Sequence, residues 1–136
     1  MSNELSGRAR EILLEKNFAT VSTLRQDGTV YAVVVWVDAD DEGYVLLNTA
    51  EGRAWRKNIA RDPRVTLTVA HHANPYEYVS VTGTVVEDTH DGADQHINRM
   101  AKKYVDQDVY PFRQPGEQRV KIRVRPDRVT LAGGAS

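Results

Sequence analysis

The segment VYAVVVWV at residues 30–37 constrains the fold more than any other, because it is apolar on both faces. Successive side chains of an extended chain point to opposite sides, so Ala32, Val34 and Trp36 face one way and Tyr31, Val33, Val35 and Val37 the other. A strand with one wet face alternates apolar and polar residues. This one does not, so something must cover its second face. A 136-residue chain folding around one core also leaves much apolar surface half covered, and pairing with another surface is expected.

The neighbouring segments place this strand in an antiparallel sheet. Residues 18–24 alternate as a strand, and Asp27-Gly28 supplies the turn of a hairpin returning through residues 30–37. Residues 38–43 (DADDEG) form a polar turn before a strand at 44–48. A helix capped by Thr49 spans 49–62 and stops at Pro63, which disfavours helical geometry in the residue before it. Strands follow at 65–69, where Val65, Leu67 and Val69 alternate with threonines, and at 77–87, where Gly83 signals a bulge. A strand at 120–131 runs past Pro126. Leu5, Ala9, Ile12, Leu13 and Lys16 predict an opening helix over 3–16, capped by Ser2 or Asn3, lying across a barrel mouth. Ala93, Ile97, Met100, Ala101 and Tyr104 form one stripe of a helix over 91–105. Residues 105–117 are a proline-containing excursion, and the last five residues should fray. The expected fold is mainly β (α+β): one antiparallel barrel domain over 1–136, with six or so strands and three inserted helices. A doubly wound sheet is disfavoured because the first three strands follow one another through turns.

Several kinds of chemistry lack their anchors. Eighteen basic and nineteen acidic residues leave a net charge of -1, and nothing global argues for nucleic acid or an anionic membrane. No apolar run is long enough to span a bilayer, and without cysteine there are no disulfides or thiolate sites, which fits a cytoplasmic location. His71 and His72, adjacent on a strand, would face opposite sides and could not share a metal; no metal site is expected. His90 and His96 read as solvated, as do the carboxylates Asp38, Asp40, Asp41 and Glu42. There is no G-x-S-x-G, P-loop or G-x-G-x-x-G.

One local feature asks for a partner. Arg53, Arg56 and Lys57 occupy the first turns of a helix, where cations oppose the macrodipole. Residues 51–64 hold five basic and two acidic side chains, a local charge of +3. Backbone N–H groups, the Thr49 hydroxyl and the Arg53 guanidinium would together cradle a phosphate, with Gly52 allowing close approach. A solvated basic face is the plainer alternative. Trp36 and Trp55 lie near this cradle, and Tyr76 and Tyr78 flank the loop into the next strand; such rings could shelter a planar ligand or simply fill the barrel and a subunit contact.

The blocks FATVSTLRQDGTVYAVVVWV, LNTAEGRAWRKNIARDPRVTL, NPYEYVSVTGTVVE and AKKYVDQDVYPF, in this order and spacing, resemble the pyridoxamine 5'-phosphate oxidase-like split β-barrel flavoproteins. Within them they resemble the actinobacterial branch that uses the deazaflavin coenzyme F-420, and the likeness covers nearly the whole chain. It implies a cofactor phosphate at Thr49, Gly52 and Arg53, with Asn48, Ala54, Trp55, Arg56, Lys57 and Asn58 around it. The branch has a lysine where this chain has Trp55, so Arg56 or Lys57 would substitute for it or phosphate binding would be weaker. The resemblance further implies a homodimer with the cofactor in an interface groove. The cofactor ring would run beside Val33 and Val35, and the other subunit would supply the region of Tyr76 and Tyr78. The implied activity is hydride transfer from reduced deazaflavin to a small, planar, electron-poor substrate, the proton coming from Tyr78, His72 or solvent. An FMN-dependent oxidoreductase on the same fold, and a non-catalytic carrier of deazaflavin or haem, are the rival expectations.

Overall fold

The computed structural model describes residues 3–133; Ser2 as a cap and the fraying expected at 134–136 lie outside them. Its elements are α1 (Gly7–Leu14), β1 (Phe18–Leu24), β2 (Val30–Trp36), β3 (Asp38–Ala39), β4 (Val45–Ala50), α2 (Ala54–Arg61), β5 (Arg64–Ala70), β6 (Tyr78–Thr89), α3 (Ala93–Val105) and β7 (Arg119–Ala132). The seven strands form one antiparallel sheet in the order β2-β1-β5-β6-β7-β4-β3. The chain steps from β2 at one edge to β3 at the other through Val37 alone, and β2 approaches β4. The sheet thus curls almost closed but leaves a seam, giving a split β-barrel with three helices.

Alternation drives the curl. Val65, Leu67 and Val69 turn inward from β5 while Thr66 and Thr68 stay exposed, and Val21, Val79, Val81, Leu47 and Ile122 join the same core with no surface left in contact with water. Each such side chain contributes about 1.5–3 kcal/mol on burial. α1 packs on β3, β5, β6 and β7, with Ile12 and Leu13 fully buried, so it closes one end of the barrel. Gly83 marks a register shift in β6, as its position in a long strand predicts.

Most element ends shift by a residue or two from the sequence reading, and four differences have a physical reason. The opening helix begins after Ser6 and ends at Leu14, because the buried Asn17 amide turns back to cap the Ile12 carbonyl at 2.8 Å. Asp38 and Ala39 are a short strand paired with Leu46 and Val45 rather than part of the polar turn, which makes seven strands. The second helix starts at Ala54, not Thr49: Thr49 stays in the wholly buried β4, paired with Val120, and Gly52 at φ 89° makes the turn. Ala132 closes β7 opposite Tyr78 instead of fraying.

The second face of β2 is open to solvent in the single chain. Val34 is 65% exposed, and it heads an outward row Val34, Thr20, Thr68, Ser80, Thr130 across five strands. None of these side chains is charged.

Candidate functional site

The end of β4, the α2 turn, the start of β7 and the edge strand β2 surround a cleft of about 180 Å³. β4 supplies Asn48 and Thr49, the turn supplies Arg53 and Trp55, and β7 supplies Arg119. Val34, Val35, Trp36 and Tyr110 form the apolar wall with Ile97 and Met100 of α3. Arg119 reaches the cleft because it pairs with Ala50, one residue beyond Thr49.

Two groups in this cleft are conspicuously unspent. The Thr49 hydroxyl and Arg119 Nη1 are buried and have no hydrogen-bond partner among the described residues, an arrangement costing about 1–3 kcal/mol for each group. Arg119 Nε donates to Asn48 Oδ1 at 2.9 Å, and its guanidinium lies 4.9 Å from the centre of the Tyr110 ring. Arg53, the N-cap residue of α2, has no side-chain cap bond and leaves its side chain half exposed. The buried Glu117 carboxylate stands between the two cations, 3.5 Å from Arg53 Nη2 and 3.4 Å from Arg119 Nη1. The wall is stiff: Trp36 stacks on Tyr104 at 5.0 Å and meets the edge of Tyr110 at 5.9 Å. Tyr104 donates to the Asn17 carbonyl, and burial pushes its phenol up to about 12.

The sequence-read residues divide around this cleft. Asn48, Thr49, Arg53, Trp55 and Val35 border it, whereas Val33 packs against the core. Gly52 and Ala54 lie exposed in the turn beside it, and Lys57 is exposed on α2 outside it. Arg56 turns away to bind both Asp88 oxygens at 3.0 and 3.1 Å, with Glu51 3.6 Å off; the bond to Asp88 raises its already high pKa. Asn58 donates to the Thr23 hydroxyl at 3.0 Å, tying α2 to β1. Tyr76, 83% exposed, and Tyr78 lie away from the cleft of their own chain.

Other residues depart from their expected surroundings. His96 is buried against Asp38 and Asn48 rather than solvated, since α3 presents it to the barrel beside Ala93 and Ile97. Asp38 is buried as well; burial would raise its carboxyl, but hydrogen bonds from His96 and Arg99 outweigh that and hold it down to about 2. Lys103 donates to the Leu13 and Val37 carbonyls, and burial lowers it to about 8. His71 and His72 follow β5 instead of extending it, so their rings lie 4.9 Å apart rather than on opposite faces. Among the described residues there is no group of three side chains suited to a metal ion, and no helix long and apolar enough to cross a membrane. Sequence reasoning missed Arg119, Glu117 and Tyr110. The available signal was two opposite charges two residues apart, entering an otherwise apolar-alternating strand.

The pyridoxamine 5'-phosphate oxidase family matches residues 5–132. A solved structure named "F420 Reductase" superposes with a TM-score of 0.80 at 25% identity, covering 92% of this chain and 98% of its own. A conserved hypothetical protein of Mycobacterium tuberculosis superposes at 0.70 with 17% identity, over 97% of this chain and 88% of its own. A protein of Listeria innocua does so at 0.67 with 13% identity, over 89% of this chain and 92% of its own. No curated protein matches the chain.

Proposed function

The chain belongs to the pyridoxamine 5'-phosphate oxidase family, and from that premise we propose that it is a cytoplasmic reductase that uses the deazaflavin coenzyme F-420 on a small, planar, electron-poor substrate. One observation carries the reading. The two unspent buried groups, Thr49 Oγ1 and Arg119 Nη1, border the same cleft as the half-exposed Arg53 guanidinium. An anion held there satisfies both and faces the N-terminal end of α2, where negative charge is favoured. The donor set therefore fits a cofactor phosphate. The likeness to a structure named as an F420 reductase supports the choice of deazaflavin.

When bound, the reduced deazaflavin would supply a hydride to the acceptor. The chain's contribution is binding, orientation and exclusion of water. Thr49, Arg53 and Arg119 would hold the anionic tail, and Val35 and Trp36 would flank the ring. Tyr78 and His72 lie away from the cleft of their own chain, so the proton on the product would come from solvent or from the partner subunit's Tyr78.

A homodimer belongs to this reading. Small-molecule sites enclose roughly 300–1,000 Å³, and the cleft of about 180 Å³ falls short of that range. The uncharged row through Val34, Thr20 and Thr68 gives a second copy a surface to cover. The groove would be completed by the partner subunit's Tyr76 and the partner subunit's Tyr78.

Anaerobic titration with F-420 and with FMN, followed by tryptophan quenching, tests the reading, with turnover then assayed on quinones, nitroaromatics, enones and tetrapyrroles. Tighter F-420 binding and oxidation of its reduced form are expected. Preference for FMN would move the activity to the flavin, and tight binding without turnover on any acceptor would make the protein a carrier.

A further inference from the structure

Two buried polar side chains, Asp38 and His96, lie behind the residues that line the cleft and do not line it themselves. His96 on α3 is 6% exposed and Asp38 in β3 is 5% exposed. His96 Nε2 lies 3.2 Å from Asp38 Oδ2, and His96 Nδ1 lies 3.2 Å from Asn48 Nδ2. Asn48 Nδ2 also donates to the Ala93 carbonyl at 2.9 Å, and Asn48 Oδ1 accepts from Arg119 Nε at 2.9 Å.

The chemistry of these atoms leaves one assignment. Arg119 Nε–H can only donate, so Asn48 must turn its oxygen to Arg119 and its nitrogen to Ala93 and His96. An amide nitrogen cannot accept, so His96 Nδ1 is the bare, accepting nitrogen and the ring proton sits on Nε2, facing the carboxylate. Asp38 is kept ionised by Arg99 Nε at 3.1 Å and the Ala39 N–H at 2.9 Å, with the Lys103 ammonium adding positive charge nearby.

We propose that Asp38 and His96 are positioning residues of the cleft: they fix the ring tautomer, which fixes the Asn48 amide, which holds the Arg119 guanidinium at the cleft wall. This rests on the cofactor reading above. Without the carboxylate, the ring proton is free to move to Nδ1, where it opposes an Asn48 N–H. Rotating the Asn48 amide relieves that conflict but presents its N–H groups to Arg119 Nε–H, and Arg119 loses its acceptor. A purely structural role for the pair makes no such demand on Arg119.

The test reads ligand-free protein first. Nitrogen NMR of the His96 ring, and solvent exchange of the Arg119 Nε–H assigned with Arg119→Lys, should show the Nε2–H tautomer and a protected Arg119 proton in the wild type. Asp38→Asn should move the ring proton to Nδ1, speed Arg119 exchange by about tenfold or more, and weaken F-420 or FMN binding about tenfold. His96→Asn, which still offers an acceptor to Asn48, should keep both protection and affinity, whereas His96→Leu should lose both. A wild-type ring protonated at Nδ1, or Arg119 exchange unchanged in Asp38→Asn, would overturn the proposal. Should Asp38→Asn not fold, the wild-type tautomer and the contrast between His96→Asn and His96→Leu decide. Failure of both coenzymes to bind the wild type counts against the cofactor reading alone, because tautomer and exchange are measured without ligand.

Discussion

Glu117 Oε2 lies 3.4 Å from Arg119 Nη1, close enough for charge attraction, yet both atoms are buried without a hydrogen-bond partner among the described residues. The pair is electrostatically matched and geometrically unsatisfied, the condition of a cation held ready for a better acceptor. An incoming phosphate gains Arg119 but meets the like charge of Glu117. Glu117→Gln keeps an oxygen for the arginines and removes that repulsion, so affinity for FMN or F-420 should rise by roughly threefold to tenfold. The gain should shrink as salt is added in calorimetric titrations. A fall in affinity would mean that the carboxylate's main task is to orient the arginines.

Arg53→Ala tests the other cation. Its guanidinium is half exposed and, among the described residues, bonded only to Glu117 at 3.5 Å, so its removal should leave the melting temperature nearly unchanged. Loss of a charge-assisted bond to phosphate should weaken coenzyme binding by about 1–3 kcal/mol. Arg56→Ala should cost far less affinity, because that side chain is spent on Asp88. Equal losses at the two positions would contradict this division of roles.

These two arginines also show what the sequence made legible. Arg53 is legible because charge at a helix start is a local pattern, and β1, β2 and β5 are legible because alternation and a glycine-containing hairpin turn are local as well. Thr49 was misassigned because its residue type suits both a helix cap and a buried strand. Its pairing with Val120, 71 positions away in the sequence, decides for the strand. Arg119 is harder to place for the same reason, since it enters the cleft through the β4–β7 pairing. His96 was recoverable: it lies three residues after Ala93 and four before Met100, on the stripe that the helix buries, and only its polarity argued for solvent.

Asp38 gives the fold an acid-sensitive component. Its carboxyl is held down to about 2, its bonds to His96 and Arg99 outweighing the opposing effect of burial. Between the ordinary carboxylate range near 4 and that value, the unfolded chain takes up the proton before the folded one. Stability from this group is therefore complete above about pH 4 and lost as pH falls through about 2, amounting to about 2 kcal/mol. Urea unfolding at stepped pH should show this loss in the wild type and its absence in Asp38→Asn. The remaining carboxylates contribute to both curves, so the difference isolates Asp38.

Gly83 is required by close approach. A Cβ there would lie 2.6 Å from the Arg125 carbonyl oxygen and 2.6 Å from Val124 Cγ1, inside the β6–β7 pairing. Neither neighbour is the free end of a flexible side chain. Gly83→Ala should cost about 1–3 kcal/mol by overpacking, read as a lower urea midpoint, with coenzyme affinity at low temperature unchanged.

Thr68 sits in the middle of the outward row, paired with Thr20 and Ser80, exposed in the single chain and away from the cleft. A charge at an exposed site of an isolated chain changes stability by about 0.5 kcal/mol or less, whereas an unpaired charge buried in a subunit interface costs several. Thr68→Glu therefore separates the two situations. If a second copy covers this face, the wild type should be a dimer by light scattering, and its melting temperature should rise with protein concentration. The variant should be monomeric, with a melting temperature independent of concentration and weakened coenzyme binding, although no residue of its own cleft has changed. A monomeric wild type that binds coenzyme as tightly as the variant would remove the dimer from the functional reading, and the exposed face of β2 would then need another partner.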